Sequence, residues 1–180
     1  MTNKKKDIVK IIAIALTILQ MLFLTIYFNW ETRSSFYYPE KMPDDFNFKF
    51  ETGIGKTKFF KVNTYNNTLT SPINFEKDTT IGFQFSINEK EKIYKIIEDI
   101  DISIYPENYA PTCVQRILPA STYYFETSIN GDTIRINWEE NTHSRTKESK
   151  NLMKLFNEIY TISGENEKVK NLPDSEIYVL

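Results

Sequence analysis

The chain has 180 residues, 22 Lys and Arg against 24 Asp and Glu, and a formal net charge of −2. Beyond the first ten residues it carries no basic cluster, which argues against a nucleic-acid partner, since phosphate recognition demands massed Lys and Arg. Its one cysteine excludes an internal disulfide, so the fold must hold by packing.

The first predicted element is the apolar run from Ile8 to Phe28. Ile11 to Phe28 contains no charged side chain, and at ~1.5 Å per helical residue it covers roughly 27 Å. That matches the hydrocarbon thickness of a bilayer, where only internally hydrogen-bonded backbone is tolerated. Lys4, Lys5, Lys6 and Lys10 precede the run, while Arg33 and Lys41 are the nearby cations after it. The positive-inside bias therefore places residues 1–7 in the cytoplasm, a single-pass anchor over 8–30 in the lipid bilayer of the cell membrane, and the bulk of the chain outside. Tyr27, Trp30, Phe36, Tyr37 and Tyr38 stand where an aromatic belt belongs. A cleaved signal peptide is the rival reading, but its apolar core is usually about 7–15 residues, and Ala13-Ile14-Ala15 comes too early in this run. Gln20 is either tolerated alone in the span or makes a helix–helix contact.

Residues 31–43 read as a stalk punctuated by Pro39 and Pro43. The outer domain, 44–180, is long enough for one core. After Trp30 there are eighteen Lys and Arg against twenty-three Asp and Glu, a formal charge near −5. Phe46, Phe48 and Phe50 alternate with polar residues as in a half-buried strand, Thr52-Gly53-Ile54-Gly55 breaks it, and Thr57–Tyr65 resumes. Asn66-Asn67 and Ser71-Pro72 mark turns around a short stretch, 68–70. Thr79–Ile87 predicts a strand with Ile81, Phe83, Phe85 and Ile87 on one face. A helix follows with Asn88 as N-cap, Glu91 in a capping box, and Ile93, Ile96, Ile97 and Ile100 as its stripe.

Residues 102–118 read as irregular, with Pro106 and Pro111, and Pro119 just beyond, limiting regular elements. Asn130-Gly131 is a type I′ turn signal. It pairs Ile129 with Asp132, Thr127 with Ile134, Phe125 with Ile136 and Tyr123 with Trp138, and sets Glu126 opposite Arg135 on the other face. A helix is predicted from about Thr146 to Ser163, with Leu152, Leu155, Phe156, Ile159 and Ile162 inward and Gly164 as C′. A short helix over 165–172 and an apolar end, 177–180, complete the chain. The fold class is α+β: a transmembrane helix, then a two-layer domain of mostly antiparallel sheet covered by two helices.

Catalytic signals are sparse. Gly53-Ile54-Gly55-Lys56-Thr57 imitates the end of a P-loop, but Phe50 stands where its first glycine belongs and a strand follows instead of a helix. Cys113 and His143 form a conceivable nucleophile–base pair without a supporting motif. Cys113 otherwise reads as a buried thiol or as an intermolecular disulfide partner. Glu98, Asp99 and Asp101, and Glu139-Glu140, read as solvated carboxylates, without ligand spacing for a metal ion. No cofactor motif is present.

The stretch Phe46–Lys56, the helix from Ile93-Tyr94 to Ile100-Asp101, and Tyr105-Pro106-Glu107 carry a resemblance. Tyr123-Tyr124-Phe125 with Asn130-Gly131 and Trp138, Leu152 with Leu155, and Leu172-Pro173 extend it. In these patterns the chain resembles a group of small uncharacterised exported proteins of Gram-positive bacteria, lipoprotein-like or single-span. It departs from them in lacking a lipidation cysteine near its start and in a more polar turn from Asn66 to Ser71. The resemblance implies export and one domain, and no activity or site residue.

The resulting expectation is a membrane-anchored, extracytoplasmic, non-enzymatic binding module for a protein or cell-envelope partner. Tyr105, Tyr109 and Tyr124 are its candidate interaction surface; the alternative is that these rings pack beneath the 103–121 loop. An accessory subunit of a membrane complex, held through its span, and a cell-envelope hydrolase are the competing readings.

Overall fold

The computed structural model describes residues 12–24, 36–74, 77–111, 119–140 and 146–173. Two compact units divide between Phe36 and Tyr37. In the first, residues 12–24 form helix α1. Among the described residues no helix is long and apolar enough to cross a membrane; residues 8–11 and 25–30 of the predicted anchor lie outside them.

The second unit is an α+β domain in which, among the described residues, seven strands form one sheet in the order β4-β3-β2-β1-β6-β7-β5. Strands β1 (Asn47–Ile54), β2 (Thr57–Asn63), β3 (Thr68–Pro72) and β4 (Asp78–Gly82) make an antiparallel meander. The hairpin β6 (Ser121–Ile129) and β7 (Asp132–Glu140) joins through β1–β6, also antiparallel. Among the described strands, only the two-residue β5 (Asn108–Tyr109), within the segment expected to be irregular, pairs in parallel, with β7.

The alternation leading into and along β1 buries Phe46, Phe48 and Phe50. The expected break at Thr52 does not occur: the strand runs to Ile54, and the irregularity is a bulge, with Thr52 opposite Phe60 and Gly53 opposite Lys58. Phe59 is the extra residue, so adjacent Phe59 and Phe60 are both buried. Gly53 is needed because a Cβ there would lie 1.9 Å from the Thr57 carbonyl oxygen. The turn itself is at Gly55, whose φ is +59°.

The β6–β7 register is the one expected from the turn, including Tyr123 opposite Trp138 and Glu126 opposite Arg135. Asn130 and Gly131 have φ of 54° and 86°, the backbone a type I′ turn requires. Both of their N–H groups donate to the Asp45 carboxylate, at 3.0 and 2.6 Å, a clamp that closes on residues 85 and 86 positions away.

Strand β4 is shorter than its pattern. After Phe83 N–H donates to the Asn67 carbonyl, the chain leaves the sheet. Phe83 and Phe85 remain buried, while Ile87 is 70 % exposed. The cause lies at Ser86, which, not Asn88, is the N-cap of α2 (Ile87–Asp99), in a reciprocal capping box with Glu89. Ile87 thereby becomes the first helical residue. Ile93, Ile96, Ile97 and Ile100 are buried as the stripe requires, and Tyr94 joins them.

After a 3-10 turn (Ile102–Ile104), β5 and the hairpin, α3 (Lys147–Glu165) starts at the Thr146 cap. Its expected inward residues are all buried. It does not end at Gly164. Asn166 closes α3 and its side chain caps α4 (Glu167–Lys170), so the turn falls there. Phe156 stacks on Phe50 and Tyr123, fixing α3 against the sheet. The Lys92–Glu158 ion pair, 2.6 Å, joins exposed Lys92 on α2 to half-buried Glu158 on α3. Residues 37–43 are bonded to this unit: Tyr94 donates to the Pro39 carbonyl, and Tyr38 donates to Asp101 while accepting from Ser103 N–H.

Candidate functional site

Strand alternation leaves one face of the sheet to the core and the other polar. The polar face carries Lys49 and Glu51 from β1, Lys61 from β2, Tyr124 and Glu126 from β6, and Arg135 and Asn137 from β7, with Glu51 beside both Lys61 and Tyr124. Most of these groups satisfy one another. Lys49 pairs with Glu51 at 2.8 Å and lies 5.3 Å from the centre of the Tyr124 ring. The Tyr124 hydroxyl and Arg135 Nε both donate to Glu126, each at 2.7 Å. Burial pushes the Tyr124 phenol up to about 12, reinforced by Glu126. The Tyr124 hydrogen bond, then Arg135, holds the Glu126 carboxyl below its usual range.

At one end of this face lies a groove of about 340 Å³, bordered by Gly55, Lys58, Asn108, Tyr109, Ala110, Thr122, Tyr123, Asn137, Trp138 and Glu139. Its geometry follows from the register. Asn108 opposes Asn137, and Thr122 opposes Glu139, so these four side chains share the polar face. Tyr109, Trp138 and Tyr123 form the next row across the sheet. Their rings turn to the core: Trp138 and Tyr123 both lie against Phe156, so their backbone forms the groove floor. Thr122 Oγ1 donates to the Gly55 carbonyl at 2.9 Å, tying the β1–β2 turn to the groove wall. Partial burial lowers the Lys58 ammonium below its ordinary value, and Glu51 opposes that shift. An ammonium, a carboxylate and two carboxamides suit hydrogen bonding to a polar ligand. In the sequence Glu139 reads only as a solvated carboxylate and Asn137 carries no signal; nothing local joins either to Lys58 or Asn108.

The three tyrosines expected to form an interaction surface do not sit together. Tyr105 is 6 % exposed and its hydroxyl donates to the Glu148 carbonyl; burial, then the neighbouring Tyr109, pushes its phenol up to about 12. Tyr109 lies edge-on to Tyr105 and Trp138, with its hydroxyl within 3.0 Å of Ser149 Oγ and 3.1 Å of Thr146 Oγ1. These two rings fasten the loop to the start of α3, whereas Tyr124 is on the polar face. Gln20 lies on α1, in the other unit, and is exposed.

The other polar candidates resolve into local pairs. Gly55-Lys56-Thr57 is a β-hairpin turn leading into β2. Lys95 bridges Glu98 and Asp99 at 2.8 and 3.3 Å, and Asp101 accepts from Ser103 Oγ at 2.6 Å. Glu140 accepts from the Tyr123 hydroxyl. Cys113 and His143 lie outside the described residues. Among the described residues, no group of three His, Cys, Asp or Glu side chains is placed to hold a metal ion.

The fold and groove define a class: an α+β domain with helices on one sheet face and an open polar surface on the other. No protein-family model matches the chain, and no curated protein matches it.

Proposed function

We propose that the chain is a single-pass membrane protein that presents its α+β domain outside the cell as a non-enzymatic binding module for a protein or envelope component. One observation carries the anchor. Ile12, Ile14, Leu16, Ile18, Leu19, Met21, Leu22, Phe23 and Leu24 are each more than half exposed, on every side of α1. A helix apolar all round is not stable against water and belongs in a protein core or in lipid. By sequence the apolar run 8–30 has bilayer length, with the lysine-bearing end cytoplasmic. The resemblance to small exported proteins of Gram-positive bacteria points the same way.

Recognition is assigned to the polar sheet face and its Lys58–Asn137 groove, because Tyr105 and Tyr109 are committed to internal packing. In-cell crosslinking followed by co-purification tests this, comparing the full chain with the outer domain on a neutral anchor. A partner retained by both, and lost when Lys58→Glu and Asn137→Ala are combined, supports the reading. A partner held only by the native span makes the chain an accessory subunit. A partner indifferent to the groove substitutions removes the groove from recognition.

A further inference from the structure

The described part of α1 contains two polar side chains, Thr17 and Gln20. The helix satisfies the first itself: Thr17 Oγ1 donates to the Ala13 carbonyl at 2.9 Å. The Gln20 carboxamide has no such outlet and makes no hydrogen bond among the described residues. In hydrocarbon that leaves two donors and an acceptor without partners, a state relieved only by another polar group at the same depth.

The surroundings of Gln20 supply the second half of the argument. Leu16, Leu19, Gln20, Phe23 and Leu24 line one continuous hollow. Ala13, Leu16, Gln20 and Phe23 recur at spacings of three and four, the seam of a left-handed helix pair. Gln20 falls on the seam, flanked by Leu19 and Leu24, and Ala13 lets backbones approach one turn-pair away.

We propose that α1 pairs with α1 of a second copy of this chain along Ala13, Leu16, Gln20 and Phe23, with the two Gln20 carboxamides bonded to each other. The inference rests on α1 being in the membrane. A second copy is the favoured occupant because a carboxamide both donates and accepts. Two identical ones facing across a symmetry axis therefore satisfy each other. All copies insert with the same end inward, so a parallel pair brings each seam position opposite itself.

The test uses the full chain in native membranes, with Cys113→Ser to remove the native thiol. Single cysteines replace the seam residues Ala13, Leu16 and Phe23 or the off-seam residues Ile14, Ile18 and Leu22, and oxidation traps neighbours. Disulfide-linked dimer is expected at the three seam positions and not at the other three. In detergent, Gln20→Leu is expected to raise the dimer dissociation constant about three- to thirtyfold, whereas Gln20→Asn, which keeps the carboxamide, retains the dimer. Uniform crosslinking, an unchanged Gln20→Leu dimer, or a product containing a different polypeptide overturns the symmetric pairing. Alkaline extraction separates the two readings. A chain that resists extraction but stays monomeric defeats the pairing alone; a chain released by alkali defeats the anchor, and the pairing with it.

Discussion

Replacing Phe156 by Ala is the most direct probe of how the helical layer is held to the sheet. Phe156 is 2 % exposed. Its ring centre lies 4.9 Å from Phe50 and 5.2 Å from Tyr123, both stacked, with Phe125 at 6.0 Å and Trp138 at 6.3 Å. Truncating a buried Phe costs about 3–5 kcal/mol through lost transfer energy and a residual cavity. The upper half of that range applies here, because the rings beneath Phe156 come from three hydrogen-bonded strands, β1, β6 and β7, which cannot close on the void. Against a typical domain stability of about 5–15 kcal/mol, that loss is about a quarter or more. The assay is urea unfolding of the full chain in detergent, read by Trp138 fluorescence in a Trp30→Phe background. The midpoint should fall without a change in slope, since the surface exposed on unfolding is nearly the same. A cycle with Phe50→Leu and Phe156→Leu should give a coupling of about 0.5–1.5 kcal/mol for the stacked pair. A loss below about 1 kcal/mol for Phe156→Ala, comparable to truncating half-exposed Tyr160, would refute this account of the core.

Three further outcomes follow from the same geometry. Gly53→Ala should cost about 1–3 kcal/mol by forcing the β1–β2 hairpin apart at Thr57, and faster amide exchange in Thr57 and Lys58 than in β6 would locate the damage; unchanged exchange would argue against the close approach. Ser86→Ala should cost about 1 kcal/mol and fray the first turn of α2, whereas Asn88→Ala should be nearly silent; thermal unfolding of the two variants decides which residue caps. At high pH, Tyr38, Tyr105 and Tyr124 should ionise near 12, against an ordinary value of 10.0. Because their folded-state values are raised, the stability they contribute is complete below about pH 10 and falls between about 10 and 12, as protons remain longer on the folded than on the unfolded chain. Tyrosinate absorbance titrated alongside circular dichroism should show these groups ionising only as the fold is lost; three phenols titrating near 10 with the fold intact would contradict their burial.

Local spacing determined a good deal of this molecule. The Asn130-Gly131 turn set every pair of the β6–β7 ladder, because a two-residue turn leaves one register. The isoleucines of α2 and the apolar stripe of α3 fixed which sides of the helices are buried, because a 3.6-residue period admits one inward face. Where chain direction changes, competing local signals were settled by tertiary contacts. Ser86 and Asn88 both suit a cap, and the burial of Phe83 and Phe85 decided where β4 stopped and α2 began. Gly53 looked like a strand break because glycine usually is one; it is instead the residue that tolerates a bulge, which is visible only once β2 lies beside it.

The candidate site belongs wholly to the second category. Lys58, Asn108, Thr122 and Asn137 come together through β1–β2, β1–β6, β6–β7 and β5–β7 pairing, and two of these four contacts join segments far apart in the chain. Tyr105 and Tyr109 carry the composition of an interface but are consumed by α3, a fact no spacing within their own loop encodes. The sequence by itself determined the apolar character of α1, the helix stripes and the hairpin register, since each depends on neighbours within a few turns or one tight loop. Only the tertiary structure decided strand order, the bulge, the parallel β5 and the groove, because these depend on which distant backbones hydrogen-bond, and that choice is made by the packing of the whole core.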